Sequence, residues 1–379
     1  MNFRSHTALL LLAAATSLPH PAHAAEPTLR GVFEKDFLVG VALSSGTITG
    51  RNPKAAELAA TQFSAITPEN ETKWQSIHPQ PDQYRFESAD AYVSFAKEHK
   101  MELIGHTLVW HSQTPGWVFQ GEDGKPPTRE VLLKRMHDHI QTVVGRYKGK
   151  VKDWDVVNEA LSDGGPELLR DSPWRKIIGD DFIDLAFRYA HEADPKAELY
   201  YNDYGLESER KRANSVKLLK GLLDRGVPIT GVGTQSHFHL NQPPVADIEK
   251  TIKDFSALGL KVMVTELDVD VLPGRGNFGN ADVNRREQGD ATLNPYTAGL
   301  PEDMQKKLAE RYAEIFDVYL RHRKAITRVT FWGLSDGQTW LNGFPIRGRT
   351  NYPLLFDREL KPKPAFEALI KKGSEKRTP

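Results

Sequence analysis

The chain has 379 residues and no cysteine, and its 50 lysines and arginines balance its 50 aspartates and glutamates. Without cysteine there is no disulfide framework, no thiolate chemistry and no lipid-modified cysteine. The formal net charge of zero and the lack of a basic stripe argue against a nucleic-acid partner. A chain of this length can bury a full core without disulfides, even if it is exported.

The first 24 residues have the pattern of an export signal. Arg4 supplies positive charge, the apolar run Thr7–Ala15 is too short to span a bilayer, and the triplet Ala22–Ala24 fits a small-residue cleavage site. We therefore predict a signal peptide over 1–24, a single catalytic domain over 25–379, and a periplasmic or extracellular location. An uncleaved membrane anchor is the alternative. No later run is apolar and long enough to cross a membrane, so no membrane association is expected after cleavage.

After this segment, apolar β-branched runs alternate with amphipathic stretches. Strands are predicted over Phe37–Leu43, Phe63–Thr67, Glu102–Val109, Val151–Glu159, Ala197–Asn202, Ile229–Ser236, Val262–Val269 and Ile326–Trp332. Helices are predicted over Lys54–Thr61, Ser88–Lys97, Thr128–Tyr147, Pro173–Ala193, Ser208–Arg225, Ala246–Leu258, Pro301–His322 and Pro364–Lys371. Ser88 is the expected N-cap of the second of these helices.

Eight strand–helix units without a linker or short repeat favour the α/β class and a single closed (β/α)8 TIM barrel. A doubly wound open sheet is the alternative, but the glycine-rich phosphate turn of that fold is missing after the first strand. The segment from Asp270 to Gly299 is polar, glycine-rich and aperiodic. A loop of this length after the seventh strand is expected at the rim of the site.

Two predicted strands carry a glutamate at or near their ends. Glu159 ends the fourth strand, and Glu266 lies near the end of the seventh, two residues before Asp268. A carboxylate at the end of a buried strand is costly unless it is paired or used in chemistry. In a barrel, the chemistry lies at the carboxyl ends of the strands, and the fourth and seventh strands are nearly opposite. The pattern therefore predicts two acids that face each other across a pocket.

The other strand ends carry amides, hydroxyls, carboxylates and aromatic rings, which together suit a sugar ligand. A pyranose presents hydroxyls around its rim and a C–H face that packs on tryptophan or tyrosine. Paired carboxylates can then act as acid and nucleophile on a glycosidic carbon. The lining thus favours a glycoside hydrolase.

The motifs at these strand ends resemble those of family 10 glycoside hydrolases, the endo-β-1,4-xylanases. They are Thr67–Asn70 with Lys73 and Trp74, His106–His111, Trp154–Glu159, Tyr201–Tyr204, Thr234–His237, Thr265–Asp268, and the pair Trp332 and Trp340. They occur in order over nearly the whole predicted mature chain. The resemblance implies endo-acting hydrolysis of xylan and xylo-oligosaccharides by a retaining double displacement, without metal or cofactor. A monomer is expected.

The resemblance also implies roles for single residues. Glu266 resembles the nucleophile, and Glu159 resembles the general acid/base, whose pKa must be raised, in part by the charge of Glu266. His237 and Asp268 resemble a support behind the nucleophile, and Asn158 resembles the amide that binds the 2-hydroxyl of the reacting sugar. The substrate-binding residues are expected to be Tyr204 on the leaving-group side and, in the glycone wall, Glu69, Asn70, Lys73, His106, Trp110, Gln235, Trp332 and Trp340.

Two other functions stay open at the level of sequence. His237 and His239 lie on one face of an extended chain, and His106 and His111 follow another strand, which is a pattern of barrel metallohydrolases. That alternative leaves the paired glutamates unexplained. A non-catalytic carbohydrate-binding protein would share the aromatic lining but would not need opposed glutamates.

Overall fold

The structure is a computed structural model that describes residues 26–121, 123–274 and 286–375. The predicted signal peptide lies outside the described residues, and so does the middle of the predicted loop 270–299. Within the described ranges, no helix combines the length and the apolar character that a membrane span needs.

The described strands form a parallel sheet that closes on itself. They are β1 Leu38–Leu43, β2 Ala65–Pro68, β3 Glu102–Trp110, β4 Asp153–Asn158, β5 Glu198–Asp203, β6 Gly231–Thr234, β7 His237–His239, β8 Lys261–Asp270 and β9 Ile326–Phe331. The pairing order is β1-β2-β3-β4-β5-β6-β8-β9, and β9 pairs with β1. The short strand β7 lies outside this ring and pairs with β8. The predicted (β/α)8 barrel is confirmed, and the open sheet is wrong because the ring is closed.

Helices connect the strands on the outside of the barrel. They are α1 Leu29–Val32, α2 Ser45–Ile48, α3 Pro53–Gln62, α4 Trp74–Ile77, α5 Glu87–His99, α6 Arg129–Arg146, α7 Pro173–Ile178, α8 Phe182–Ala193, α9 Glu209–Asp224, α10 Val245–Ser256, α11 Glu302–Arg321 and α12 Pro364–Ser374. Short 3-10 helices cover Gly116–Phe119, Ala291–Leu293 and Trp340–Asn342. The helices cover the outer face of the strands, which are buried along almost their whole length.

Two predictions about the helices are wrong, whereas the other predicted helix ends lie within three residues of those in the structure. The helix expected over Pro173–Ala193 is split into α7 and α8, because Gly179 adopts φ 110°, a conformation that ends a helix. The helix expected to be capped by Ser88 begins one residue earlier, with Phe86 at the N-cap position and no side-chain cap. Neither difference moves a strand end, so the top of the barrel is unaffected.

The barrel wall is tightly packed where β3 and β4 meet. Trp154 is almost fully buried, and its indole fills the space that a side chain at Gly105 would need. A Cβ at Gly105 would lie 2.1 Å from the ring, so only glycine fits there. This packing holds the two strands whose carboxyl ends carry Trp110 and Glu159.

Candidate active site

The carboxyl ends of the strands surround an open cleft of about 650 Å³. Each residue predicted for the site lines this cleft except Asp268, which lies behind His237. The predicted residues that line it are Glu69, Asn70, Lys73, His106, Trp110, Asn158, Glu159, Tyr204, Gln235, His237, Glu266, Trp332 and Trp340. It is also lined by residues for which no role was predicted, namely Gln75, Gln113, Gly205, Arg286, Gly343 and Phe344.

Glu266 is held in its ionised form. The residue is only 5% exposed, and its carboxylate accepts hydrogen bonds from Asn202 Nδ2 at 2.8 Å and from His237 Nε2 at 3.2 Å. Burial alone would raise the pKa of Glu266, but the His237 hydrogen bond, the charge of His106 and the Asn202 amide outweigh it and lower the pKa. A buried carboxylate that stays charged is suited to act as a nucleophile.

His237 is charged because two carboxylates flank it. Its Nδ1 lies 3.1 Å from Asp268 Oδ2, on the side opposite Glu266. Burial lowers the pKa of His237, but Asp268 and Glu266 together raise it to about 10. The pairing follows from the fold, because Ser236 turns the chain with φ 61° and β7 then places His237 in register with Asp268. The resulting imidazolium fixes the Glu266 carboxylate.

Glu159 has the opposite electrostatic environment. It follows β4 directly, is 6% exposed, and accepts hydrogen bonds from Trp110 Nε1 at 2.8 Å and Gln235 Nε2 at 2.9 Å. Burial, the charge of Asp203 and then that of Glu266 raise the pKa of Glu159 to about 7. The charge of Glu266 raises the pKa of Glu159 as predicted, but burial and the charge of Asp203 raise it more. Glu159 can therefore carry a proton near neutral pH while Glu266 cannot.

A chain of amides joins the two glutamates. Asn202 Nδ2 donates to Glu266 and also to Asn158 Oδ1 at 3.0 Å, and Gln235 Nε2 donates to Glu159. Because the Asn158 carbonyl oxygen accepts from Asn202, its amide NH2 is the group with which Asn158 can donate to a ligand. The position of Asn158 in the cleft therefore fits a contact with a sugar hydroxyl.

One wall of the cleft is a polar cluster from the segment after β2. Lys73 Nζ donates to Asn70 Oδ1 at 3.1 Å and to Gln113 Oε1 at 3.0 Å, and lies 5.1 Å from the Trp110 ring centroid. Burial lowers the pKa of Lys73 and raises that of Glu69. These side chains hold one another in fixed positions, which is what hydroxyl recognition requires.

The aromatic residues of the other wall also support the charged groups. Trp340 Nε1 donates to Asp268 Oδ2 at 2.7 Å, and its ring stacks on Phe344 with centroids 5.1 Å apart. Trp332 meets His106 edge to face at 5.2 Å. Trp340 therefore presents a ring to the cleft and, at the same time, orients the carboxylate that holds His237.

Three residues without a predicted role act on the glutamates: Asn202, Asp203 and Arg170. Asn202 and Asp203 stand in the motif Tyr201–Tyr204, where two polar residues at the end of a buried strand are the signal that could have revealed them. Arg170 Nε donates to the Glu159 carbonyl oxygen at 2.9 Å. No sequence pattern points to Arg170, because it lies in a loop eleven residues away from Glu159.

Comparison with known proteins assigns the chain to a family. The model of glycosyl hydrolase family 10 matches residues 28–372. The chain belongs to glycosyl hydrolase family 10. Endo-1,4-beta-xylanase A of Xylanibacter ruminicola is 49% identical over 91% of this chain and 93% of that protein, and Beta-1,4-xylanase of Dictyoglomus thermophilum is 44% identical over 91% of both chains. A solved structure, "a novel GH10 endoxylanase retrieved from sugarcane soil metagenome", is 48% identical with a TM-score of 0.87, covering 91% of this chain and 99% of that one.

The histidines of this family 10 chain are not arranged as the metallohydrolase alternative requires. Both ring nitrogens of His237 face carboxylates, whereas a metal ligand presents an unprotonated nitrogen to the ion. His239 Nε2 bonds to the Leu272 carbonyl oxygen at 3.0 Å, and His111 does not line the cleft. Among the described residues, no group of three or more histidines and carboxylates has a metal-binding arrangement.

Proposed function

We propose that this family 10 protein is an endo-β-1,4-xylanase that hydrolyses xylan and xylo-oligosaccharides with retention of the anomeric configuration. The observation that carries the proposal is a pair of buried glutamates in one cleft whose protonation is driven in opposite directions. The pKa of Glu266 is lowered and that of Glu159 is raised to about 7. The xylanase names of two relatives that align over 91% of this chain support the substrate class.

In the first step, Glu266 attacks the anomeric carbon while Glu159 donates its proton to the glycosidic oxygen of the leaving sugar. A covalent ester forms at Glu266, and its negative charge disappears. The loss of that charge lowers the pKa of Glu159, which then takes a proton from a water molecule. The oxygen of this water attacks the anomeric carbon, the bond between that carbon and Glu266 breaks, and the Glu266 carboxylate leaves. The N–H groups of Trp110 and Gln235 stabilise the Glu159 carboxylate in this second step.

The imidazolium of His237 assists both steps through Glu266. It orients the attacking carboxylate and stabilises the same carboxylate when it leaves in the second step. We assign Asn158 to the 2-hydroxyl of the reacting sugar, the polar cluster with Trp340 to the glycone side, and Tyr204 to the leaving-group side.

The proposal is tested with linear xylan and purified protein. We expect release of reducing sugar, a series of short xylo-oligosaccharides by chromatography, and the β-anomer as the first product by NMR. Activity should survive EDTA, whereas a zinc hydrolase would lose it. Binding of xylan without any release of reducing sugar would favour a carbohydrate-binding protein instead.

The pH dependence should follow Glu159. Because the acid is active only in its protonated form, kcat/KM on xylotetraose should fall as pH rises through about 7. Asp203→Asn removes the largest charge that raises the pKa of Glu159, so the alkaline limb should move to lower pH. The control is Asp224→Asn, because Asp224 is an exposed aspartate on α9 that pairs with Lys220. This variant should leave the alkaline limb of the pH profile in place. An alkaline limb that Asp203→Asn does not move contradicts this account.

Trp340→Ala should weaken glycone binding by roughly 1–3 kcal/mol, which is about 5- to 150-fold in KM, because a large aromatic surface is lost. Xylotriose should be affected more than xylan, since a short substrate has few other contacts. Trp340→Phe keeps a ring but removes the hydrogen bond to Asp268, so it separates sugar packing from support of His237. Equal kinetics of wild type and Trp340→Ala on both substrates would place Trp340 outside the sugar path.

We also infer export and a monomeric mature protein. The positive charge, apolar run and Ala-His-Ala triplet of residues 1–24 support cleavage before Ala25. N-terminal sequencing of exported protein should begin at Ala25 or within a few residues, and light scattering should give the mass of one chain. Exported protein that retains Met1 would rule out the cleavage.

A further inference from the structure

Arg170 contacts two residues that line the cleft, Glu159 and Tyr204, and is only 7% exposed. Its guanidinium donates from Nε to the Glu159 carbonyl oxygen at 2.9 Å and from Nη2 to the Tyr204 hydroxyl at 2.9 Å. Its Nη1 pairs with Asp163 Oδ2 at 2.9 Å. One rigid planar group thus links the main chain of the acid/base to a side chain of the cleft wall.

The main chain of Glu159 needs such a contact. Glu159 adopts φ 57°, a left-handed conformation that is unfavourable for a residue other than glycine. Its N–H donates to the Asn202 carbonyl oxygen at 2.9 Å, and its own carbonyl accepts from Arg170. Both peptide groups that set the direction of the Glu159 side chain are therefore held by hydrogen bonds.

Tyr204 is held from several directions as well. Its N–H donates to Asp203 Oδ1 at 2.9 Å, and Lys211 Nζ lies 3.5 Å from its ring centroid. Lys211 in turn pairs with Asp203 at 2.8 Å and with Asp163 at 3.1 Å. Although burial opposes it, Lys211, the Tyr204 hydroxyl and Arg170 lower the pKa of Asp163. Two cations and two carboxylates thus form a network, largely shielded from solvent, around the tyrosine.

We propose that Arg170 is a positioning residue that joins the Glu159 main chain and Tyr204 into one rigid unit, so that the acid is aligned with the glycosidic oxygen of a sugar packed on Tyr204. The inference rests on the proposed function and adds to it the residue that sets proton-transfer geometry for sugar leaving groups. Alignment matters because proton transfer requires hydrogen-bond distance, and small displacements of a reacting group can cost about 10²-fold in rate.

The test compares two leaving groups in one variant. Arg170→Met keeps the length of the side chain and removes all its donors. Xylotetraose needs both protonation and the leaving-group side, so its kcat/KM should fall about 10- to 100-fold. The dinitrophenolate of a dinitrophenyl xylobioside leaves without protonation. The kcat/KM on this substrate should therefore fall less than about 3-fold. Arg170→Lys, which keeps the charge but not the planar fork, should lie between wild type and Arg170→Met.

Arg175→Met is the matched control. Arg175 follows in the same part of the chain, but its guanidinium bonds to the Leu169 carbonyl oxygen, Glu167 and Asp180. This variant should keep wild-type kinetics on both substrates. Equal losses on both substrates in Arg170→Met would show a general structural role and overturn the proposal.

Tyr204→Phe provides a second variant that removes one hydroxyl and preserves the fold. If Arg170 acts through this contact, the double variant with Arg170→Met should lose less xylotetraose activity than the product of the two single losses. Losses that simply multiply would overturn the link between Arg170 and Tyr204. Failure of the proposed function itself looks different, because the wild-type protein would then hydrolyse neither substrate.

Discussion

Replacing Glu266 by alanine should lower turnover by roughly 10⁴- to 10⁶-fold on every substrate, which is the scale of losing a nucleophile. The loss should be independent of the leaving group, because no covalent intermediate can form whether or not the departing oxygen needs a proton. The fold should persist, since Asp268 still pairs with His237. The measurement is kcat on xylan, xylotetraose and a dinitrophenyl xylobioside.

Azide makes this prediction specific for the role of Glu266. In Glu266→Ala, azide can enter the space left by the carboxylate and attack the anomeric carbon once, which gives the α-glycosyl azide. Glu102→Ala is a suitable control, because Glu102 is exposed at the opposite end of β3 and should tolerate the change. A β-azide from Glu266→Ala would reverse the assignment of the two glutamates.

Replacing Glu159 by alanine should give a loss that depends on the leaving group. On xylan and xylotetraose the loss should be about 10²- to 10⁴-fold, the usual contribution of general acid–base catalysis. The first step on a dinitrophenyl xylobioside should be nearly unaffected, because that phenol leaves without a proton. The second step should then limit turnover, since no base activates water, and a burst of phenol should precede a slow steady state.

Azide should restore turnover in Glu159→Ala and give the β-glycosyl azide, because it attacks a covalent intermediate and inverts the configuration a second time. The structure favours this rescue. Truncation of Glu159 leaves the N–H groups of Trp110 and Gln235 directed at the vacated space, and both can donate to an anion. If neither glutamate variant lost activity, the double-displacement mechanism would be wrong altogether.

The order of strands and helices along the chain could be predicted because each element has a residue pattern of its own. Runs such as Val262–Val269 are apolar and β-branched, and they alternate with amphipathic stretches, so each strand and helix is marked by its own residues. Eight such units admit few arrangements, and a closed barrel is the one in which every strand is paired along both of its edges. Local departures from this regular order were harder to predict. The break of the helix at Gly179 and the short strand His237–His239 depend on backbone conformations that a pattern of apolar residues does not specify.

The residues that gather in the cleft were also largely predictable. In a barrel, the carboxyl ends of all strands meet on one face, so polar residues directly after strands must approach one another. Glu159 and Glu266 accordingly lie in the same cleft. Every other residue predicted for the site lines it too, except Asp268. Asp268 does not line the cleft but lies behind it, where it contacts His237 and Trp340.

Apart from the support of Glu266 by His237 and Asp268, the contacts of the cleft residues were decided by the tertiary structure. Trp110 and Gln235 were predicted to bind the substrate and line the cleft, but the sequence did not indicate that their N–H groups bond to Glu159. The charge of Asp203 raises the pKa of Glu159 more than the charge of Glu266 does. Arg170, which lies in a loop, donates a hydrogen bond to the Glu159 main chain. Hydrogen bonds and pKa values depend on burial and on distances of a few ångströms between residues far apart in the chain, and those distances exist only after the barrel has closed.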